Sequence, residues 1–231
     1  MVQNPKEKGT RTIEIFFSRI ATRYDLMNRL MTGGQDQRWR KKVIQKGQIT
    51  PRSEILDLGT GTGDLTRTAL QQHPEARVTA ADLTLEMLLA RKDWHSARRC
   101  CANAEDLPFP ADRFDVVLSG FLARNVCNLE KALQEQHRVL RSGGRIVILD
   151  TTRPRKNPFS PLIQFYMTRI IPSLGALVTG QKDAYSYLID STQNFLCAED
   201  LAVKMKGVGF QNVSFETLMF GTIAIHVGNK S

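Results

Sequence analysis

The sequence predicts an α/β fold, a doubly wound and mostly parallel sheet with helices on both faces. Three observations carry it. From Glu54 onward short apolar runs alternate with helical stretches. The runs are continuously apolar, as strands covered on both faces require. The first run opens into a glycine loop that leads into a helix.

The elements follow in order. Ile13, Phe16, Phe17, Ile20, Tyr24, Met27 and Met31 recur at steps of three and four, the stripe of one helix over 10–31 that Gly33-Gly34 ends. Arg38–Lys46 reads as a short basic helix before the Pro51 break. Residues 1–50 are therefore expected to form an N-terminal helical lid on a domain spanning 51–231. Ile55–Leu58 is a strand feeding the glycine loop, with a helix from Leu65. Val78–Asp82 is a second strand, followed by a helix from Thr84 to about Trp94, and Phe114–Ser119 is a third. Asn128 caps a helix with Leu129, Ala132, Leu133 and Leu140 on its apolar face, closed by Gly143. Arg145–Asp150 returns to strand. Residues 153–190 break the rhythm, because Pro154, Pro158, Pro161 and Pro172 punctuate apolar helical pieces, the mark of an insertion. A helix over Ala198–Gly209 and strands over Val213–Phe220 and Thr222–Val227 finish the chain. In the last, Ile223, Ile225 and Val227 share one face and leave His226 on the other.

Composition narrows the function. The 231 residues, 42% of them apolar, suffice for one domain with a sizeable core. No run approaches the roughly 20 apolar residues that span a bilayer. Met1 to Lys8 is polar and charged, unlike a signal peptide. A cytoplasmic protein is expected, at most peripheral at the inner face of the membrane. The four cysteines form no C-x-x-C pair and the four histidines lack ligand spacing, so reduced thiols and no metal site are expected. The net charge of +9 is concentrated in residues 1–52, with twelve Lys/Arg against four Asp/Glu. Such an end attracts nucleic acid or anionic lipid, or is simply a solvated face, and its sign alone separates none of these.

The stretch Asp57-Leu58-Gly59-Thr60-Gly61-Thr62-Gly63-Asp64 is the most informative. A ligand beyond the carboxyl ends of parallel strands needs a backbone that can approach it, and the N–H groups of the next helix start suit a carboxylate or phosphate. A dinucleotide loop, G-x-G-x-x-G, would place glycine or alanine at position 64, which is Asp64. Asp82 ends the second strand about twenty residues on, where a carboxylate can accept from two vicinal hydroxyls. The plain reading is that the glycines form an ordinary turn and Asp82 only caps a helix. A third segment, Asn103-Ala104-Glu105-Asp106-Leu107-Pro108-Phe109-Pro110, argues against it.

Together these resemble the class I S-adenosylmethionine-dependent methyltransferases, with a Rossmann-like, seven-stranded sheet and an antiparallel C-terminal strand. The resemblance implies S-adenosyl-L-methionine as cofactor. Its methionine part would lie on Asp57, Gly59, Thr60, Gly61, Thr62 and Gly63, its ribose on Asp82 and Leu83, and its adenine by Asn103, Ala104 and Glu105. Ser119 and Gly120 would complete that site.

Three further segments narrow the family. Arg23-Tyr24-Asp25-Leu26-Met27-Asn28 with Arg38-Trp39, Arg124-Asn125-Val126, and Arg138 to Asp150 with Ala224–Gly228 resemble signatures of the ubiquinone/menaquinone biosynthesis C-methyltransferases. The resemblance runs from about residue 10 to the end. It implies methylation of a ring carbon on a demethylated polyprenyl quinol. The chain departs from that family's usual residues at Thr32 (Ser), Asp36 (His), Gly120 (Ser), Leu122 (Gly), Ala123 (Leu), Ser142 (Pro), Asp150 (Glu) and Thr152 (Ser). Another small-molecule substrate is the alternative.

On this reading Arg124 supplies the fixed positive charge that favours a phenolate, and Tyr24 and Asp25 help close the site. The plain alternative is that Arg124 ion-pairs with Asp115 or Glu130. Tyr24, Met27, Phe121 and Asn125 are candidate substrate contacts, with Tyr166 against the tail and His226 from the C-terminal hairpin. The expected partners are a lipophilic quinol, an anionic membrane surface and a second copy of the chain. Nucleic acid is not expected, because Ser119-Gly120-Phe121-Leu122 stands where amino-methylating enzymes carry [D/N]-P-P-[F/Y], and no cysteine follows a proline. A cofactor-binding assembly factor without catalysis is the rival of another class.

Overall fold

The computed structural model describes residues 5–91, 93, 94, 96–153, 165, 169, 170, 173, 191, 192 and 195–231. The expected insertion at 153–190, Tyr166 included, falls almost wholly outside them. The chain opens with α1 (Pro5–Ile20), α2 (Tyr24–Thr32) and α3 (Asp36–Lys46). It continues through β1 (Glu54–Leu58), α4 (Asp64–Gln72), β2 (Arg77–Asp82), α5 (Leu85–Leu89), β3 (Arg98–Cys101), β4 (Phe114–Gly120), α6 (Leu129–Val139) and β5 (Leu140–Thr151). After the insertion come α7 (Ala198–Gly207), β6 (Gln211–Leu218) and β7 (Ile223–Asn229).

The seven strands form one sheet in the order β3-β2-β1-β4-β5-β7-β6. The first five run parallel, and β7 is antiparallel to both β5 and β6. All five residues of β1 are buried, the charged Glu54 and Asp57 included, as a strand covered on both faces requires. On one face Leu56, Leu58, Val117, Ile146 and Ile148 pack with Ala132 and Leu133 of α6 and Leu201 and Met205 of α7. On the other, Ile55, Leu118, Val147 and Leu149 meet Leu65 and Ala69 of α4 and Trp39, Val43 and Ile44 of α3. The direction of winding changes between β1 and β4, where ligands of such sheets bind.

Five expectations are corrected. The helix expected over 10–31 is two helices, divided by one tight turn at Ala21–Arg23, where Arg23 sits at φ −117°, ψ 4°. Ile20, Ala21 and Met27, on both sides of the turn, pack together with Met87 of α5. The lid expected over 1–50 also divides, since α3 belongs to the sheet's core and only α1 and α2 stand over the strand ends. The helix expected to reach Trp94 stops at Leu89, because the Trp94 indole turns inward onto Ala80 and Leu88, with the Arg99 guanidinium 4.3 Å above its ring. The helix expected to close at Gly143 ends at Val139. Leu140 is already extended, and Gly143, at φ +77°, serves a turn inside β5. The edge strand β3 was not expected at all, since Arg98-Arg99-Cys100-Cys101 carries no apolar run and pairs only with β2.

Candidate active site

The glycine loop is shaped from beneath. Asp57, fully buried at the end of β1, accepts on one oxygen from the Thr60 hydroxyl (2.6 Å), the Thr66 hydroxyl (2.7 Å) and the Thr66 N–H (3.0 Å). Burial pushes its carboxyl above the ordinary range, and these hydrogen bonds pull the other way. Gly59, Gly61 and Gly63 all lie in the left-handed region, at φ +67°, +57° and +85°. A Cβ at Gly63 would come within 2.7 Å of the Trp94 ring, and one at Gly59 within 2.9 Å of Leu122. At Gly61 it would meet only Tyr24, at 3.8 Å. The loop is therefore held shut on its sheet side and left open above Gly61.

Above it lies a cleft enclosing about 710 Å³ of non-atom space, part of it open solvent. Gly59, Gly61, Asp82, Leu83, Asn103, Ala104, Glu105 and Gly120 line it, as does Tyr24 from the lid. Asp82 accepts the Gly61 N–H on one oxygen (2.8 Å) and the Thr84 N–H on the other (2.9 Å). A carboxylate offers about four lone pairs, so two remain for a pair of vicinal hydroxyls. Asn103 takes the Glu105 N–H at 2.9 Å, and Glu105 takes the Asn128 N–H at 2.9 Å, fixing the segment beyond β3. The residues present therefore fit S-adenosylmethionine: open space above Gly61 for the amino-acid end and the Asp82 carboxylate for the ribose. Asp57, Thr60, Thr62, Gly63 and Ser119 do not reach the cleft wall. They lie beneath the cleft, most of them buried, and shape the turn from below.

On the acceptor side, Tyr24, Phe121 and Asn125 line the cleft. Burial raises the Tyr24 phenol above its ordinary value, opposed by the Arg124 guanidinium and the adjacent Asn28 side chain. The phenol therefore stays protonated at neutral pH. Phe121 holds a left-handed conformation, φ +60°, with its N–H on Leu149 O (2.7 Å) and its carbonyl on the Asn125 amide (2.9 Å). The Asn125 Oδ1 is buried and has no hydrogen-bond partner among the described residues.

Other expected site residues lie elsewhere. Arg124 is ion-paired with Asp150, both side chains nearly buried, and its guanidinium stands 5.1 Å from the Phe121 ring centre, one layer behind the wall. Neither Asp115 nor Glu130 is that partner, since Asp115 lies at the other end of β4 and pairs with Arg141 (2.6 Å). Both oxygens of Asp25 are engaged, one by the Thr62 hydroxyl and one by Arg91 (2.9 Å), so Asp25 ties α2 to the loop. Met27 is fully buried in the lid's own core. His226 is buried under α7 on Ala198 O (2.8 Å), its ring tilted against Phe215, and is corrected from substrate contact to structural histidine. Ile13, Phe17, Val126 and Cys127 line the cleft without having been expected there, beside Leu122. For Ile13 and Phe17 the helical stripe was the available signal. Among the described residues, no group of three or more His, Cys, Asp or Glu could hold a metal.

A sheet of this order, with a reversed strand between its last two neighbours and a cleft over the β1–β4 junction, is that of a class I methyltransferase. Solved structures share the fold. The [4+2]-cyclase SpnF superposes with a TM-score of 0.70 at 15% identity, covering 96% of both chains. A possible histamine N-methyltransferase from Thermotoga maritima gives 0.68 at 16%, covering 95% of this chain and all of that one. The chain belongs to the ubiE/COQ5 methyltransferase family, whose model matches residues 4–230. It is 43% identical over 226 residues to the ubiquinone/menaquinone biosynthesis C-methyltransferase UbiE of Desulfotalea psychrophila, covering 94% of this chain and 90% of that one. It is 42% identical over 219 residues to a demethylmenaquinone methyltransferase of Thermus thermophilus, covering 93% and 99%.

Proposed function

We propose that this S-adenosylmethionine-dependent methyltransferase methylates a ring carbon of a demethylated polyprenyl quinol in quinone biosynthesis. The observation that carries the reading is the acceptor wall of the cleft. It is aromatic and aliphatic, from Phe17, Tyr24, Phe121, Leu122 and Val126, with one unpartnered acceptor at Asn125 Oδ1. Such a wall fits a flat, lipophilic ring bearing a hydroxyl. The names of the family relatives support the same substrate class.

When bound, the cofactor supplies an activated methyl group, so the protein's part is to align, exclude water and stabilise charge. Asn125 Oδ1 would accept a hydrogen bond from the ring hydroxyl and fix its orientation. The protonated Tyr24 would donate to the second ring oxygen, stabilising the phenolate formed there as its proton passes to solvent. Arg124 acts from behind Phe121, and Asp150 offsets much of its charge, so its contribution is a field on Tyr24 and the ring, not a direct contact. Among the described residues, no helix is long and apolar enough to cross a membrane. The basic first 52 residues and the exposed Leu26 and Leu30 (51% and 43%) on α2 suit a peripheral approach to an anionic bilayer. Transfer of labelled methyl from S-adenosylmethionine to demethylmenaquinol or a ubiquinone precursor tests the substrate. Labelling of neither, with intact cofactor binding, would overturn it. Sedimentation with anionic liposomes at rising salt tests the membrane approach, and no binding even at low salt would reject it.

A further inference from the structure

The lid is fastened to the cofactor loop by a closed ring of side chains that begins and ends on α2. At its C-terminal end the Thr32 hydroxyl meets Asp36 of α3 (3.1 Å). Asp36 pairs with Arg40 (3.5 Å), and Arg40 with Asp64 at the start of α4 (3.3 Å). Asp64 pairs with Arg67, Arg67 with Asp93 (3.1 Å), and Asp93 with Arg91 (2.7 Å). Arg91 then reaches Asp25 at the N-terminal end of α2 (2.9 Å), whose other oxygen holds the Thr62 hydroxyl. The ring encircles the glycine loop. Thr62 is the residue between Gly61 and Gly63, and Tyr24, next to Asp25, closes the open side of Gly61.

The two arms of the ring differ in exposure. The side chains of Asp36 and Arg40 are 2% and 9% exposed, and α3 is anchored in the sheet's core. Those of Arg91 and Asp93 are 33% and 49% exposed, on the short segment after α5. Salt screens exposed pairs and leaves buried ones largely untouched. Raised salt therefore weakens the exposed arm more than the buried one. The Asp93 carboxyl is drawn down to about 2, chiefly by the Arg91 hydrogen bonds, so this arm stays fully charged at any working pH.

We propose that Arg91 and Asp93 are positioning residues for the cofactor loop: they hold Asp25 on Thr62, and α2 lifts off the loop on this side, its Thr32 end still held on Asp36, when the cofactor enters or leaves. Neither residue lines the cleft. The ring sets how long the amino-acid end of the cofactor is retained, not the acceptor chemistry. The inference rests on the cofactor assignment alone and is independent of which quinol is methylated.

The test is the dissociation rate of S-adenosylhomocysteine from the full chain, measured by stopped flow in 20 mM and in 500 mM NaCl, for wild type, Arg91→Gln, Arg91→Lys and Asp93→Asn. The ring predicts a wild-type rate that rises about fivefold with salt. Arg91→Gln should dissociate about tenfold faster already in low salt and respond little to more. Arg91→Lys should recover part of the loss, and Asp93→Asn, on the more exposed position, should fall between. Circular dichroism melting establishes that each variant is folded. A salt-independent wild-type rate overturns the proposal, as does an Arg91→Gln protein that keeps the wild-type rate and salt response. The wild-type measurement decides even if a variant does not fold. Because the readout uses S-adenosylhomocysteine alone, its failure would leave the quinol assignment standing, and the reverse holds too.

Discussion

The two walls of the cleft are built by different means. The sheet wall is backbone: left-handed glycines, amide donors on Asp82, and a turn held by Asp57 from below. The lid wall is side chain: Ile13, Phe17 and Tyr24 projected from helices whose attachment runs through ion pairs, some half in solvent. A backbone wall cannot change shape without unmaking hydrogen bonds that the sheet enforces. A side-chain wall can be lifted and replaced at little cost. If the lid moves as proposed, its side chains can leave the cleft while the sheet wall keeps its shape.

The comparison breaks most decisively at Asp57. Asp57→Ala leaves two threonine hydroxyls and one buried N–H without their acceptor, at about 1 kcal/mol or more each, so a loss of about 3 kcal/mol in urea unfolding is expected. A loss under about 1 kcal/mol would mean that the turn holds itself. Next comes Asp82→Asn, which keeps the size and removes one acceptor for a hydroxyl pair. Calorimetry with S-adenosylhomocysteine should show roughly 100-fold weaker binding, about 2.7 kcal/mol. Unchanged affinity would move the ribose elsewhere. Tyr24→Phe sharpens the contrast by keeping the ring over Gly61 while deleting the hydroxyl. Its kcat should fall about 30-fold, the roughly 2 kcal/mol of one hydrogen bond to a charged oxygen, with cofactor affinity retained. Equal loss in both would make the hydroxyl part of cofactor binding instead.

The smallest effect belongs to His226, on the far side of the sheet from the lid helices. Burial lowers its pKa from 6.5, so the folded protein holds it neutral while the unfolded chain takes up a proton as pH falls. Its stabilising contribution is present above about pH 6.5 and is lost as pH drops through the lowered folded value. The melting temperature should decline over that window, and His226→Gln should flatten the slope by about 1 kcal/mol per pH unit at most. His137, lowered by the same cause, keeps part of the slope. Identical pH curves for the two proteins would show that His226 is not titrating.

What the sequence disclosed, it disclosed through local spacing. The loop over 57–64, its helix and the acid at Asp82 sit on consecutive elements, so a one-dimensional pattern suffices to align them. The lid's fastening could not be read this way. Asp25 and Arg91 are 66 positions apart, and nothing local in either segment names the other. Arg124 shows the same limit. Parallel pairing sets Gly120 of β4 against Leu149 of β5, so Asp150 emerges beside the turn that follows. The nearer acids, Asp115 and Glu130, point elsewhere. The break at Ala21–Arg23 was invisible for another reason: the apolar stripe passes through the turn without changing its spacing. Cys100 and Cys101 lie in a strand that only its neighbour β2 identifies.

The reversal of β7 has a consequence for how the molecule assembles. β6 is made before β7, yet it touches the sheet only through β7, which lies between it and β5. Until residues 223–229 thread into that gap, β5 is an unpaired edge rich in isoleucine and valine, and β6 has no partner. The five parallel strands and the cofactor turn can form first, and the far side of the sheet must wait for its middle strand. A nascent chain arrested before residue 223 would display a sticky edge at β5 while already holding the glycine turn.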